Sequence, residues 1–302
     1  MLIARLIAEP DTLGDSLALA MELIEAQGWE VAGAGMLAEC DDVLEMELIE
    51  DAPSPDASAV RRILDQCFPE CDLLLSAEPI EVPRLFVSDM DSAMIGQECI
   101  DELADFAGLK DRIAAITERA MRGELDFASA LTERVALLKG LPEAAIQQCL
   151  DERIRPMAGA RTLVATLKAQ GCRTVLVTGG FHAFADPVAE QLGFEHVVAN
   201  RLGVHAGLLT GEVVGGIVDS SVKRKVLEDE MARLGEGATS PITTLATGDG
   251  ANDIPMLEAA THGIAYRAKP KARAAADGWI ERGDLTSILS LYGIARNDWV
   301  AS

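Results

Sequence analysis

Short runs of alternating apolar and polar residues predict a small domain of strands and helices at the start of the chain. Alternation with a period of two is typical of half-buried strands, and apolar residues three to four positions apart are typical of amphipathic helices. In order, the segments predict strand, helix, strand, strand, helix and strand: LIARLIA, DTLGDSLALAMELIEAQG, WEVAGAGML, VLEMELIE, DASAVRRILDQC and CDLLLSA. We therefore predict a ferredoxin-like βαββαβ domain over residues 1–78, followed by a linker at EPIEVPR.

After Arg84 the pattern changes to longer apolar runs that end in polar residues or glycine. RLFVSD, RTVLVTGG and ITTLATGDG are such runs, and GIAYRA is a candidate for a fourth. Near-continuous apolar runs are typical of strands that are buried on both faces of a parallel sheet. We predict an α/β fold with a Rossmann-like parallel sheet core over residues 79–302.

Two segments interrupt this strand pattern. Residues from about 97 to 158 have helical spacing and almost no strand signal, which predicts a helical insertion between the first and second core strands. After the second strand, HVVANRLGVHAGLLTGEVVG is typical of antiparallel β structure.

Composition narrows the choice of partners. The 302 residues exceed the size at which one core stops growing, about 250–300 residues, so two or more domains are expected. A net charge of −23 repels phosphate backbones and anionic lipid, so neither nucleic acid nor a membrane is an expected partner. No apolar run reaches the roughly 18 residues of a membrane span, and the N-terminus has no signal-peptide pattern. The six cysteines form no CxxC pair, which favours reduced thiols in a cytoplasmic protein.

Polar residues and glycines follow three predicted strands, at the carboxyl ends where open α/β sheets bind ligands. They are Asp89 and Asp91 after the first strand, Thr178, Gly179 and Gly180 after the second, and Asp249, Asn252 and Asp253 after the third. If these strands are neighbours, four carboxylates converge, and two unit charges 4 Å apart repel by roughly 4 kcal/mol at an effective dielectric of 20. Either some are protonated or a cation lies among them. All-oxygen ligands favour a hard ion, and Mg²⁺ is the leading candidate.

A carboxylate nucleophile, a metal ion and a nearby lysine together suit phosphoryl transfer, where catalysis depends on positioning and charge stabilisation. The TGG segment offers a hydroxyl and backbone N–H groups for phosphate oxygens. Lys223, at the start of a predicted helix, is the candidate lysine.

Four segments in this order resemble the motifs of the haloacid dehalogenase-like phosphatase superfamily: FVSDMDSAMIGQECIDEL, LVTGGF, DSSVKRKVL and GDGANDIPML. ECIDELADFAG, AMRGELDFASALTERVALLKGLP and PMAGARTLVATLKAQG are similar, more narrowly, to the phosphoserine phosphatases of serine biosynthesis. The resemblance extends from about Arg84 to Tyr292. It implies Mg²⁺-dependent hydrolysis of O-phospho-L-serine through an aspartyl-phosphate, with the helical insertion as a cap over the site.

The resemblance also implies a role for each carboxylate at the strand ends. Asp89 would be the nucleophile, and Asp91 would protonate the leaving serine oxygen and then activate water. Asp89, the backbone carbonyl of Asp91, and Asp249 would hold the metal ion, while Asp253 would support its waters.

The remaining roles that the resemblance implies concern the substrate. Thr178 and Gly179 would bind the phosphate, Lys223 would neutralise it, and Asn252 would orient the substrate. In the cap, Glu98 would meet the substrate ammonium and Arg134 its carboxylate, with Met121 and Phe127 packed around them. An arginine fork suits a carboxylate, and a glutamate pairs with an ammonium.

Several of these residues have close competitors. Lys223 stands beside Arg224 and Lys225, and Arg134 has Arg119, Arg122 and Lys139 nearby in the sequence. Each competitor is an equally basic residue, so the sequence does not separate them by composition.

One position departs from the resemblance, and two alternative functions stay open. The first motif of the family usually has threonine where this chain has Ala93, which lowers the expected rate if a hydroxyl orders the loop. The alternatives are a phosphatase for another small phosphomonoester and an inactive amino-acid-sensing relative. The N-terminal domain is similar in its element order to ACT-like modules, for which both effector binding and homodimer formation remain open.

Overall fold

The computed structural model describes residues 1–51, 56–122 and 124–301. Its strands are β1 (Leu2–Ile7), β2 (Trp29–Leu37), β3 (Cys40–Glu50), β4 (Asp72–Ser76), β5 (Leu85–Ser88), β6 (Arg173–Phe181), β7 (His196–His205), β8 (Leu208–Val214), β9 (Thr244–Gly248), β10 (His262–Tyr266) and β11 (Gly278–Ile280). Its helices are α1 (Leu13–Glu25), α2 (Ala57–Cys67), α3 (Cys99–Phe106), α4 (Lys110–Met121), α5 (Phe127–Leu137), α6 (Ala144–Arg153), α7 (Ala160–Ala169), α8 (His182–Leu192), α9 (Ser220–Gly235), α10 (Ile254–Ala259), α11 (Pro270–Ala275) and α12 (Ser287–Leu291).

The described strands form one sheet in the order β2-β3-β1-β4-β11-β10-β9-β5-β6-β7-β8. This mixed arrangement confirms the predicted α/β fold with a parallel core. None of the helices in the described part of the chain combines the length and apolar character that crossing a bilayer requires.

The N-terminal part has the predicted βαββαβ order. Strand β1 pairs antiparallel with both β3 and β4, and β2 pairs with β3 at the edge of the sheet. Helices α1 and α2 cover one face, because Ile24 and Leu64 each turn an apolar side chain into the same buried cluster as Leu6 and Leu44. Burial of such apolar faces is what stabilises short helices.

The parallel core places the three chemically distinctive strand ends side by side. Strand β5 lies between β6 and β9 and runs parallel to both. Every residue of β5 is buried, with Phe86 in the cluster on one face of the sheet and Leu85 and Val87 in the cluster on the other. The strand-end residues that the sequence singles out therefore meet at one edge, where open α/β sheets bind ligands.

The predicted helical insertion contains α3, α4, α5 and α6, between β5 and β6. It rests on the hairpin of β7 and β8, which pair antiparallel as predicted, while β7 also continues the parallel core beside β6. Backbone bonds join the two parts: Gly140 N–H donates to the Leu209 carbonyl at 2.8 Å, and Leu209 N–H donates to the Leu141 carbonyl at 2.9 Å.

A short strand that the sequence did not predict joins the N-terminal strands to the core. Strand β11 pairs antiparallel with β4, and a Cβ on Gly278 would lie 2.2 Å from the Leu73 carbonyl oxygen, so glycine is required for this close approach. Buried Asp72 accepts backbone N–H bonds from three successive residues that follow β11: Glu281, Arg282 and Gly283. The sheet is thus continuous across the boundary at which the sequence predicts a change of domain.

Candidate active site

A tight turn after β5 presents the two aspartates of the first motif. Asp89 N–H donates to the Thr247 carbonyl of β9 at 3.0 Å, which fixes the start of the turn to the neighbouring strand. The Met90 carbonyl accepts N–H bonds from Ala93, Met94 and Ile95 at 3.3, 2.8 and 3.1 Å. The backbone therefore forms this turn without a side-chain hydroxyl at position 93.

Lys223 forms the buried centre of the site. Its Nζ lies 2.7 Å from Asp89 Oδ2 and 2.7 Å from Asp253 Oδ1, and its side chain is only 1% exposed. Burial opposes the charged form, but Asp89 and Asp253 outweigh it and raise the pKa of Lys223. Burial and the charge of Asp253 raise the pKa of Asp89, against the opposing effect of Lys223. The single positive charge of Lys223 therefore neutralises only part of the negative charge of the two buried carboxylates.

Asp253 closes the loop that follows β9. Its Oδ2 accepts the backbone N–H groups of Asp249 and Gly250 at 3.1 and 3.0 Å, while its Oδ1 faces Lys223. Oxygen atoms of Asp89, Asp249 and Asp253 lie within 4.8 Å of one another, and all three residues are buried. Asp89 is also bonded on both oxygens, to Lys223 and to the Met90 N–H at 2.7 Å, but Asp89 and Asp249 line the cavity described below, whereas Asp253 does not.

Asp91 is buried beside this cluster with one oxygen unpaired. Its Oδ2 accepts the Cys99 N–H at 3.4 Å, and its Oδ1 has no hydrogen-bond partner among the described residues. Burial, and after it the charge of Glu98, raises the pKa of Asp91 to about 7. A carboxyl group with this pKa exchanges a proton near neutral pH, as a general acid–base residue must.

The C-terminal end of β6 forms a hydroxyl and backbone surface on the opposite side. The Thr178 Oγ1 accepts the Gly180 N–H at 2.9 Å, so the Thr178 O–H remains able to donate. The Gly179 carbonyl accepts from Asn200 Nδ2 at 2.8 Å, and Asn200 Oδ1 accepts the Val218 N–H at 2.8 Å. Buried Asn200 therefore holds this segment against the chain that leads into α9.

The cavity between the core and the helical insertion has a volume of about 220 Å³. It is lined by ten of the residues that the sequence singles out: Asp89, Asp91, Glu98, Phe127, Arg134, Thr178, Gly179, Gly180, Asp249 and Asn252. Lys223 and Asp253 lie directly beneath it, bonded to Asp89 and Asp249. Met121 ends α4, and its side chain lies outside the described part of the structure. A Cβ on Gly179 would lie 3.0 Å from Phe127 Cζ, so the two parts approach closely here.

The competitors of Lys223 lie away from the cavity. Arg224 pairs with Glu228, and Lys225 pairs with Asp229, both on the exposed side of α9. Lys223 is the member of this basic trio that points into the buried acidic cluster.

The competitors of Arg134 are engaged elsewhere or lie outside the cavity. Arg119 pairs with Glu133, and Arg122 pairs with Glu118, whereas Lys139 is not among the cavity residues. The Arg134 Nε donates to the carbonyl of Ala130 at 3.4 Å, and its terminal nitrogens form no ion pair within the described ranges. Arg134 is therefore the arginine of this region that the cavity can use.

Sequence reasoning missed several cavity residues. The apolar ones are Ile100, Leu131 and Phe181. Lys269 also lines the cavity, and its Nζ lies 3.0 Å from Asp249 Oδ2. It follows β10, so the strand-end argument applied to GIAYRA would have found it. Within RAKPKAR, however, Lys269 looks like any surface lysine.

Two family models match the chain, both described as haloacid dehalogenase-like hydrolase, over residues 86–258 and 234–289. The first covers the turn after β5, the helical insertion, Lys223 and the loop after β9. The chain belongs to the haloacid dehalogenase-like hydrolase family. Eight of the ten cavity residues that the sequence singles out come from three of the four segments on which the resemblance was based, and the fourth segment supplies Lys223 beneath the cavity.

Relatives within the family support a narrower likeness. The chain is 40% identical over 254 residues to a phosphoserine phosphatase of Archaeoglobus fulgidus, with 83% of this chain and 73% of the relative covered. It is 44% identical over 214 residues to a phosphoserine phosphatase of Albidiferax ferrireducens, with 69% of this chain and 89% of the relative covered.

A solved structure is similar along almost the whole chain. It is a haloacid dehalogenase family hydrolase of Salmonella enterica serovar Typhi, with a TM-score of 0.82 and 29% identity, covering 97% of this chain and 99% of the other. The likeness therefore includes the N-terminal strands as well as the core.

Proposed function

We propose that this protein is a phosphoserine phosphatase that hydrolyses O-phospho-L-serine to L-serine and phosphate, the last step of serine biosynthesis. One observation carries the proposal: a buried lysine–aspartate pair, Lys223 and Asp89, lies at the base of a small cavity whose other wall contains Arg134 and Glu98. Two relatives that are 40% and 44% identical are phosphoserine phosphatases. At about 220 Å³, the cavity is smaller than the usual range of about 300–1,000 Å³ for drug-sized ligands, which suits a small substrate.

The donor set at the base of the cavity fits Mg²⁺. The clustered ligand atoms are all carboxylate oxygens, and hard cations prefer oxygen ligands. Asp89, Asp91 and Asp249 line the cavity, whereas Asp253 lies beneath it and is bonded to Lys223 and two backbone N–H groups, which favours Asp89, Asp249 and the Asp91 carbonyl as the groups that would hold the ion. When bound, the ion supplies positive charge against the charge that develops on the transferring phosphoryl group.

The phosphate would lie between Lys223 and the C-terminal end of β6. The Thr178 hydroxyl can donate to a phosphate oxygen because its own acceptor site is used by the Gly180 N–H. Asn200 holds Gly179 in place through the carbonyl, which fixes the backbone of the segment that would meet the phosphate. Charge-assisted bonds of this kind are the strong ones in phosphate recognition.

The two aspartates divide the chemistry. In the first step, a carboxylate oxygen of Asp89 attacks phosphorus, the bond from phosphorus to the serine oxygen breaks, and Asp91 gives its proton to that oxygen. In the second step, the Asp91 carboxylate takes a proton from water, whose oxygen attacks the phosphorus of the aspartyl-phosphate and releases Asp89 and inorganic phosphate. The raised pKa of Asp91, about 7, suits a group that must give and then take a proton.

The cap side of the cavity would select the amino-acid part of the substrate. Arg134 has terminal nitrogens without an ion-pair partner among the described residues, so they are available for a carboxylate. Glu98 is placed to meet the ammonium, and its Oε1 accepts from the Ser92 hydroxyl at 3.0 Å, which orients it. Phe127 would cover the apolar part of the substrate and exclude water from the first step.

The domain division, quaternary structure and location remain part of the proposal. We assign residues 1–78 to an ACT-like domain and 79–302 to the phosphatase domain, with a cap at about 97–158. A homodimer through the N-terminal domain would be detected by sedimentation of the full chain and of a variant altered on β2. The six cysteines are all free, as expected for a cytoplasmic protein.

The decisive test is phosphate release from O-phospho-L-serine and a panel of small phosphomonoesters, with Mg²⁺ and with EDTA. We expect turnover of phosphoserine with Mg²⁺ and none with EDTA. Turnover of another ester alone would favour the first alternative, a phosphatase with a different substrate. No turnover of any ester would favour the inactive amino-acid-sensing relative. Asp89→Asn should remove activity while the far-ultraviolet circular dichroism spectrum stays unchanged.

A further inference from the structure

Lys269 is a second lysine of the cavity that the proposed chemistry does not use. It lies between β10 and α11, and two bonds hold it to Asp249. Its backbone N–H donates to the Asp249 carbonyl at 2.8 Å, and its Nζ lies 3.0 Å from Asp249 Oδ2. Of the three clustered carboxylates, Asp249 is the one whose ion-pair partner is Lys269 rather than Lys223.

The two lysines differ in how freely their side chains can move. Lys223 is 1% exposed and is held by two carboxylates, so it is a permanent part of the site. The Lys269 side chain is 68% exposed, whereas that of Asp249 is 9% exposed. The lysine ammonium can therefore move into solvent, while the carboxylate stays in the cavity wall.

We propose that the Lys269 ammonium is an internal competitor of the metal ion for Asp249. It compensates the charge of Asp249 when the metal ion is absent, and it leaves when the ion binds. This inference rests on the proposed metal site. The reason is electrostatic: an ammonium 3.0 Å from an oxygen that coordinates a divalent cation would be repelled strongly by that cation.

The consequence is a weaker and more readily reversible metal site. Each binding event must break the Lys269–Asp249 pair, so its free energy is subtracted from that of metal binding. The lysine end of the pair is exposed, and from the usual strength of surface ion pairs we expect the pair to weaken Mg²⁺ binding by about two- to fivefold. Because the lysine ammonium is exposed to solvent, salt should reduce this difference.

The test is isothermal titration of the full-length protein with Mg²⁺ at low ionic strength. Lys269→Met removes the competitor and nearly keeps the shape of the side chain. Lys271→Met, two residues further along and exposed on α11, is the matched control for the loss of one positive charge from this surface. We expect Lys269→Met to bind Mg²⁺ about two- to fivefold more tightly than Lys271→Met, with a smaller ratio at high salt.

Thermal unfolding gives a second readout that does not depend on activity. Without its lysine, Asp249 is uncompensated, so Mg²⁺ should raise the Tm of Lys269→Met by more than that of the Lys271→Met control. Equal or weaker Mg²⁺ affinity in Lys269→Met would overturn the competitor role while leaving the metal site intact. If the unaltered protein does not bind Mg²⁺ at all, the metal site and this inference both fail.

Discussion

Replacement of His262 should change how the stability of this protein depends on pH. His262 begins β10, and its side chain is buried between the N-terminal strands and the end of α12. Its Nε2 is hydrogen-bonded to Ser76 Oγ at 2.8 Å, and its Nδ1 to Tyr292 Oη at 2.9 Å. Burial, and after it the positive charge of Arg5, lowers the pKa of His262 to about 4. The folded protein therefore favours the neutral form of the His262 side chain, which is hydrogen-bonded to Ser76 and Tyr292.

The sign and size of the effect follow from linkage. An unfolded histidine titrates near a pKa of about 6.5, so below that pH the unfolded state takes up a proton that folded His262 refuses. The resulting loss of stability begins as the pH falls through about 6.5 and is complete below about 4. At 1.36 kcal/mol for each pKa unit, the full loss is about 3 kcal/mol, and the loss by about pH 5 is about 2 kcal/mol.

The assay is urea unfolding of the unaltered protein and of His262→Gln, near pH 8 and near pH 5. Near pH 8 the variant should be less stable by about 1–3 kcal/mol, since it loses good hydrogen bonds in a buried site. Near pH 5 the gap should narrow by about 2 kcal/mol, because glutamine does not titrate. His205→Gln, at an exposed position, is the control for replacing a histidine elsewhere. A gap between the two proteins that is independent of pH would refute the assigned protonation state.

Three further substitutions test the site. Arg134→Ala should raise the KM for phosphoserine by about 10- to 100-fold. It should change the KM for phosphoethanolamine, which has no carboxylate, far less, and exposed Arg112→Ala is the control. An equal effect on both esters would exclude the carboxylate role. Gly248→Ala would place a Cβ 2.4 Å from Asp253 Cγ. Urea unfolding should show that the free energy of unfolding falls by about 1–3 kcal/mol, and activity should fall as well. An unchanged unfolding midpoint would show that this contact relaxes freely. Ala93→Thr should leave kcat nearly unchanged in steady-state assays, because backbone bonds to Met90 already form the turn; a large increase would show that the missing hydroxyl limits the rate.

Local patterns were sufficient to predict the elements and the edge of the sheet that carries the site. Continuous apolar runs such as LFVS identified strands buried on both faces, and the polar residues behind them identified the ligand-binding edge. The prediction that Asp89, Thr178 and Asp249 converge needed one assumption, namely that β5, β6 and β9 are neighbours. These three strands are neighbours in the sheet.

Long-range contacts were beyond the reach of local patterns. Strand β11 has three residues, too few to show a period, and its pairing with β4 depends on the fit of Gly278 against Leu73. The bonds from Asp72 to the backbone after β11 join segments that are about 210 residues apart in sequence. Nothing around Asp72 or His262 in the sequence indicates these partners, because hydrogen-bonding groups carry no periodic signal.

The sequence also did not show which cation or backbone group each carboxylate of the site is bonded to. The resemblance implied that Asp249 holds the metal ion and that Asp253 supports its waters, but the sequence did not show that the backbone N–H groups after β9 and Lys223 occupy both oxygens of Asp253. Lys269 approaches Asp249 only because β10 lies beside β9. These distinctions depend on distances of a few ångströms, which only the folded chain determines.

The central claim is that Asp89 is the nucleophile of a phosphoserine phosphatase. The most direct measurement is acid quenching during turnover of phosphoserine with Mg²⁺, followed by borohydride reduction, which converts an aspartyl-phosphate to homoserine, and peptide mass spectrometry. Our account predicts homoserine at position 89, dependent on both phosphoserine and Mg²⁺, and none in Asp89→Asn. Turnover with homoserine at another aspartate, or with no modified residue in the quenched enzyme, would contradict it.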